Sequence, residues 1–204
     1  MNHKIETIAT WLGTGSINLF GLPFAGKDTQ GARLAEIFNG AILSGGDILR
    51  HASDNIELQE IMAAGGIIPS ELFKQIVVPY LERAELAHSP LILSEVGRLR
   101  GEDEVILEAT ESTGHTTKAV VLLVLTDEEI WKRFDEAQIS HDRGNRADDN
   151  RNVLQTRLDN YHSKVMPVID FYRQKNLLLE VDGSQSKDNV FASIIDALYY
   201  KATQ

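Results

Sequence analysis

The sequence predicts an α/β fold, a central parallel sheet of five strands flanked by helices, and three observations carry that reading. Five short apolar runs recur along the 204 residues, each followed by a longer polar or amphipathic stretch. The runs are nearly continuous rather than alternating, which suits strands buried on both faces of a parallel sheet. The first run leads straight into a glycine-containing turn and then a helical segment, the context in which backbone amides cradle phosphate.

The elements follow in order. Residues 1–15 read as a short extra helix before the first strand, without the basic and apolar layout of a cleavable leader. The strands are INLFG (17–21), AILSG (41–45), PLILSEV (90–96), AVVLLVL (119–125) and NLLLEVD (176–182). After the first strand come a turn over 21–28 and a helix over 29–38. SELFKQIVVPYLERAELA (70–87) has apolar positions three and four apart, and Ser70 with Glu71 marks its start. Residues 149–173 also carry helical spacing, interrupted near Pro167. Strand alternating with helix argues for the α/β class, and the length suits one domain, residues 1–204.

Composition narrows the partners. The net charge of -10 argues against non-specific nucleic-acid and anionic-membrane binding. There is no cysteine, which removes disulfides, thiolate metal sites and cysteine catalysis and agrees with a cytoplasmic location. No apolar run is long enough to cross a bilayer. An acidic protein that binds phosphate must concentrate its few cations, so the arginine positions become informative.

The turn reads GLPFAGKDTQ, residues 21–30. Gly21, Gly26 and Lys27 satisfy G-x-x-x-x-G-K, but Asp28 follows and the hydroxyl of Thr29 comes one place late. Amides of the turn and the helix N-terminus would face an anion, with Lys27 as a mobile charge on the outer phosphates. The plainer alternative is a glycine-containing loop with a surface lysine.

GLPFAGKDTQ resembles the adenylate kinase loop, G-x-P-G-x-G-K-G-T-Q, whose threonine is late in the same way. Gly21, Pro23, Gly26, Lys27, Thr29 and Gln30 match it, while Phe24 and Asp28 replace glycines. Asp28 puts a carboxylate beside a polyanion, unfavourable unless Mg²⁺ or an arginine lies between. Its side chain either turns to solvent, the favoured reading, or helps hold hydrated Mg²⁺. Thr29 is the other candidate for the hydrated ion, and no direct metal ligand is assigned.

The resemblance continues along about nine tenths of the chain. LSGGDILR (43–50) resembles S-T-G-D-[ML]-[LF]-R, which implies that Arg50 holds the acceptor phosphate; Gly45 replaces the threonine that touches the acceptor base. GGIIPSELFKQIV (65–77) resembles a segment whose backbone, here Gly66, Ile67 and Ile68, borders that base. LILSEVGR (91–98) resembles L-L-D-G-F-P-R, placing Arg98 on the acceptor phosphate and Ser94 where the family has its Mg²⁺-organising aspartate. Glu95 follows, and regular alternation would put it on the other face of the strand. Glu102 stands at the base-reading glutamine, where a carboxylate only accepts hydrogen bonds.

TDEEIWKRF (126–134) resembles the approach to the lid, with Arg133 at the lid-base arginine. HDRGNRADDN (141–150) and the segment 155–183 resemble R-x-D-D-N and K-R-L-x-x-Y-x-x-x-x-x-P-[LI]-I-x-x-Y, with Arg146 and Arg157 at the pair that binds the transferring phosphoryl group. The lid is short, as in UMP/CMP-type kinases, and lacks the four cysteines of a zinc-bearing lid. Ala137 falls on a second lid arginine that Arg143 replaces in a looser alignment. Asp148 and Asp149 read either as a helix cap or as orienting the lid arginines.

The resemblance implies a P-loop three-layer fold with an acceptor-binding insertion at about 44–74 and a short lid at about 135–146. It implies a cytoplasmic, monomeric nucleoside monophosphate kinase of nucleotide biosynthesis, using ATP with Mg²⁺ and no zinc, with AMP the default acceptor. ATP would lie on Gly21, Phe24, Ala25, Gly26, Lys27, Asp28, Thr29 and Arg133. The acceptor set is Gly45, Arg50, Gly66, Ile67, Ile68, Glu95, Arg98, Glu102, Arg146 and Arg157, and the catalytic set Lys27, Arg98, Arg146 and Arg157. Two alternatives stand beside this: a kinase for another small acceptor such as a nucleoside, with Glu95 as base, and a nucleotide-binding protein with lost catalysis. Gly45 and Glu102 leave the acceptor base open.

Overall fold

The computed structural model of the chain describes residues 1–51, 56–140 and 150–204. Five parallel strands, β1 (Ser16–Gly21), β2 (Ala41–Ser44), β3 (Leu91–Ser94), β4 (Thr117–Val124) and β5 (Leu178–Asp182), form one sheet in the order β2-β3-β1-β4-β5. The helices are α1 (Asn2–Leu12), α2 (Lys27–Phe38), α3 (Gly45–His51), α4 (Ile56–Ala63), α5 (Ser70–Leu81), α6 (Glu102–Ser112), α7 (Asp127–Ser140), α8 (Arg151–Asn160), α9 (Met166–Gln174) and α10 (Lys187–Ala202).

Every residue of β1 is buried, which is why its run is nearly all apolar, with Ser16 and Asn18 the polar exceptions. Its side chains still alternate between two cores. Ile17 and Leu19, with Val121 and Leu123 of β4, pack against Ile8 of α1, Leu34 of α2 and Ile194 of α10. Phe20, with Val120 and Leu122, packs against Phe134 of α7, Leu158 of α8 and Tyr172 of α9. Leu91 and Leu93 of β3 join a third core with Phe73 and Val77 of α5 and Ile106 of α6. Helices on both faces make the three-layer P-loop arrangement. The crossover from β1 to β2 runs toward one edge of the sheet and the crossover from β3 to β4 toward the other, so a crevice opens beyond the carboxyl ends of the neighbours β1 and β3.

Several boundaries differ from the sequence expectation, and three of the helical ones have a clear local cause. α2 begins at Lys27, two residues early, because Gly26 caps it at φ 96° and the loop runs straight into the helix. α5 ends at Leu81, and residues 84–86 form a separate single turn. Pro79 supplies no amide to the last turn of α5, and Arg83 is extended at ψ 131°. The break expected near Pro167 is a wide π turn at Tyr161–Val165, which accommodates the missing donor without ending the helical rod.

Candidate functional site

The turn after β1 is shaped by its backbone. Gly21 sits so close to β4 that a Cβ would stand 2.9 Å from the Leu123 carbonyl oxygen. Phe24 keeps a left-handed backbone at φ 62°, the conformation that the resembled pattern gives to glycine. Its ring offsets that strain by meeting Phe134 edge to face at 5.4 Å. Arg133 holds the turn from α7: Nη1 donates to the Phe24 and Ala25 carbonyls at 3.3 and 3.1 Å, and Nη2 to the Gly183 carbonyl at 2.6 Å.

Lys27 opens α2 with its side chain folded back over the turn. Its Nζ donates to the Gly21 and Leu22 carbonyls at 2.7 and 3.0 Å and lies 3.3 Å from Glu95 Oε2. The expected alternation of β3 fails at this point. The strand ends at Ser94, and Glu95 turns to φ 53°, so its carboxylate faces the cleft instead of the far side of the sheet. The same Oε2 receives Arg98 Nη2 at 3.2 Å.

Asn18, which the sequence reading passed over, anchors this turn. It is buried in the middle of β1, donates through Nδ2 to the Val96 carbonyl at 2.9 Å, and accepts the Val96 amide at 3.4 Å. A polar side chain inside INLFG was the available signal, because a buried amide needs partners.

Asp28 is exposed, yet its carboxylate has a partner on β3. Its Oδ1 accepts the Ser94 hydroxyl at 2.9 Å, joining the first turn of α2 to the end of β3. Thr29 follows in the same turn, and Asp28, Thr29, Ser94 and Glu95 all line one cavity. Among the described residues no group of three or more histidine or acidic side chains could hold a metal ion directly. The donors here are hard oxygens, which suit an ion that keeps most of its water and leans on substrate phosphates.

On the side of the cleft expected to take the acceptor, a Cβ on Gly45 would stand 2.9 Å from the Glu95 carbonyl oxygen, so a threonine has no room where Glu95 takes its left-handed turn. Glu102 opens α6 and is 2% exposed. Its Oε2 accepts the Arg98 and Leu99 amides at 2.8 and 3.1 Å, and Oε1 accepts the Ser70 hydroxyl at 3.0 Å. Burial pushes its carboxyl above the usual range, against the pull of those amides, the hydroxyl and the Arg98 charge. The cavity, about 920 Å³, takes in the turn at 23–30, Gly45, residues 65–68, Arg98, Glu102, Arg133 and Arg157. Its size suits nucleotide-sized ligands. At the other side of the cavity, Gln30 and Arg33 of α2 both donate to the Lys187 carbonyl at 3.0 Å, tying the turn's helix to the cavity wall at the start of α10.

The expected residues Lys27, Asp28, Thr29, Gly45, Gly66, Ile67, Ile68, Glu95, Arg98, Glu102, Arg133 and Arg157 therefore share one cleft. Arg146, with Arg143, Asp148 and Asp149, lies outside the described residues, as does the side chain of Arg50.

Residues 19–177 match the family model described as adenylate kinase. The chain is 30% identical over 187 residues to an adenylate kinase of Micrococcus luteus, covering 89% of each. It is 35% identical over 181 residues to an adenylate kinase of Parvibaculum lavamentivorans, covering 86% of this chain and 88% of that one. With an adenylate kinase of Thermus thermophilus it shares 32% over 189 residues, 90% of this chain and 96% of the other.

Proposed function

The chain belongs to the adenylate kinase family of phosphotransferases, and from that premise we propose that it transfers the γ-phosphoryl group of ATP, held with Mg²⁺, to a nucleoside monophosphate, AMP by default (ATP + AMP = 2 ADP). The observation that most supports this is the meeting of Lys27 from the donor loop and Arg98 from the acceptor side on one oxygen of Glu95. Two cations that converge from separate substrate sites mark where two phosphate groups would meet.

The acceptor oxygen of a monophosphate is already ionised, so the chemistry needs alignment and charge neutralisation rather than a strong base. The amides at the start of α2 and Lys27 hold the donor's outer phosphates. Arg133, which bonds two carbonyls of the turn and the Gly183 carbonyl, keeps the turn in its phosphate-binding shape. Arg98 and Arg157 orient the acceptor and the transferring group with planar, bidentate contacts, and by resemblance Arg50 and Arg146 join them. Asp28 and Thr29 would hold Mg²⁺ through its water shell, and the ion would neutralise negative charge on the donor. The protein acts as a cytoplasmic monomer, the insertion at about 44–74 receives the acceptor, and the lid at about 135–146 excludes water on closing.

The inward carboxylate of Glu95 favours a second reading, phosphorylation of a nucleoside hydroxyl with Glu95 as base. One assay separates the two: ADP formation from ATP and Mg²⁺ with AMP, CMP, UMP, GMP and the matching nucleosides, with Lys27→Ala as control. Turnover with a monophosphate that the variant abolishes supports the monophosphate kinase. Turnover with nucleosides alone overturns it.

A further inference from the structure

We propose that Asp28 and Ser94 work as a pair that makes nucleotide binding depend on a divalent cation: the Ser94 hydroxyl sets the Asp28 carboxylate, which holds water of the Mg²⁺ that accompanies ATP. This deepens the proposed function and rests on ATP occupying the turn at 21–29.

Asp28 lies in the first turn of α2, between Lys27 and Thr29, where the helix amides face the outer phosphates. Its only hydrogen bond among the described residues is the one it accepts from Ser94 at 2.9 Å, which aims the carboxylate toward the end of β3 inside the cavity. No lysine or arginine among the described residues pairs with Asp28. Lys27, its neighbour, is engaged by the Gly21 and Leu22 carbonyls and by Glu95. The positive end of the α2 dipole makes the charge tolerable while the site is free of phosphate.

Bound polyphosphate reverses that balance. A carboxylate beside several phosphate charges is repelled unless a cation stands between them. The oxygens at hand, the Asp28 carboxylate and the Thr29 and Ser94 hydroxyls, are hard donors suited to hydrated Mg²⁺. Because Asp28 and Ser94 touch, a carboxylate at position 94 opposite a glycine at 28 would reach the same place from the strand side of the contact.

The test is ATP affinity by titration calorimetry on the full chain, in EDTA and in saturating MgCl₂, with circular dichroism melts to confirm folding. In the wild type Mg²⁺ tightens ATP binding by about tenfold or more. Asp28→Asn binds metal-free ATP roughly tenfold tighter than the wild type, and the Mg²⁺ advantage largely disappears. Ser94→Ala falls between the two. The double variant Asp28→Gly with Ser94→Asp restores the wild-type Mg²⁺ advantage. An unchanged advantage in Asp28→Asn, or in Ser94→Ala should the first variant not fold, overturns the pair. No ATP binding by the wild type in either buffer overturns the proposed function and this inference together. Binding with turnover but without Mg²⁺ sensitivity overturns this inference alone.

Discussion

Lys27 and Arg98 reach across the cleft to a single atom: Glu95 Oε2 lies 3.3 Å from Lys27 Nζ and 3.2 Å from Arg98 Nη2. Glu95 is 11% exposed at its side chain and held at φ 53°, so the contact is built by backbone strain and not by a loose surface ion pair. The carboxylate occupies the place where two phosphates would compete for the same cations. Glu95→Gln removes that competitor. ATP and monophosphate should bind the variant about three- to tenfold tighter, the effect of losing one nearby charge worth about 0.7–1.4 kcal/mol at partial burial. Titration of each nucleotide separately checks this. Weaker monophosphate binding would instead show Glu95 contributing directly to the acceptor.

Arg98 should matter more to turnover than to folding. Its side chain is 40% exposed, while its backbone amide is what Glu102 holds. Arg98→Ala keeps that amide contact and removes the guanidinium. We expect kcat/KM for the monophosphate to fall by about 2–4 kcal/mol of transition-state stabilisation, the scale of one preorganised charge donor, with the melting temperature nearly unchanged. Steady-state kinetics and a thermal melt on the same preparation decide it.

Arg133 should show the opposite balance. Three carbonyls, of Phe24, Ala25 and Gly183, share its guanidinium. Arg133→Ala leaves them without that donor and frees the turn. The expected result is a loss of about 1–3 kcal/mol in unfolding free energy, together with a higher KM for ATP than for the acceptor. Equal changes in both KM values would mean that Arg133 acts on the transferring group and not through the turn.

Phe24 gives a test of strain against packing. At φ 62° an L side chain costs roughly 1–2 kcal/mol relative to glycine. The edge-to-face contact with Phe134 contributes roughly 0.5–1.5 kcal/mol beyond burial. Phe24→Ala keeps the strain and loses the ring, whereas Phe24→Gly loses both. Phe24→Gly should therefore be the more stable of the two variants by about 1 kcal/mol, read from urea unfolding at equal m-values. The reverse order would show that the loop relaxes out of the left-handed region when the ring is removed.

These four positions show what could be read from the chain. The five strands and the phosphate turn were legible because burial on both faces leaves a continuous apolar run, and because a strand–glycine–lysine–helix sequence has few other uses. The orientation of Glu95 was not, since it depends on one positive φ that alternation cannot foresee. The Asp28–Ser94 contact joins residues 66 apart, and neither composition nor spacing announces it. Gly45 looked like a lost base contact. The structure shows the Glu95 carbonyl in the space a side chain would need, so the two departures are one feature.

Glu102 should join stability to acceptor choice, because it is buried, hydrogen-bonded and part of the cavity lining. Its folded pKa is raised above the ordinary 4.5, chiefly by burial. A raised carboxyl favours the protonated folded state, so this contribution to stability is fully present below about pH 4.5, the unfolded value, and is lost as pH rises through the raised folded value. Glu102→Gln cannot titrate. Its carbonyl oxygen can accept the Arg98 and Leu99 amides, and its NH₂ can donate to the Ser70 oxygen. Relative to the variant, the wild type should lose stability from about pH 4.5 upward and level off once Glu102 is fully ionised, which melts across pH 4 to 8 would record. The glutamine also adds a donor where the Glu102 carboxylate only accepts. Adenine offers both a ring acceptor and an amino donor on its pairing edge. AMP should therefore gain over GMP in the variant, measured as the ratio of their kcat/KM values. A ratio unchanged by the substitution would assign Glu102 to holding the Arg98 loop alone and leave the base to be read by other residues of the cleft.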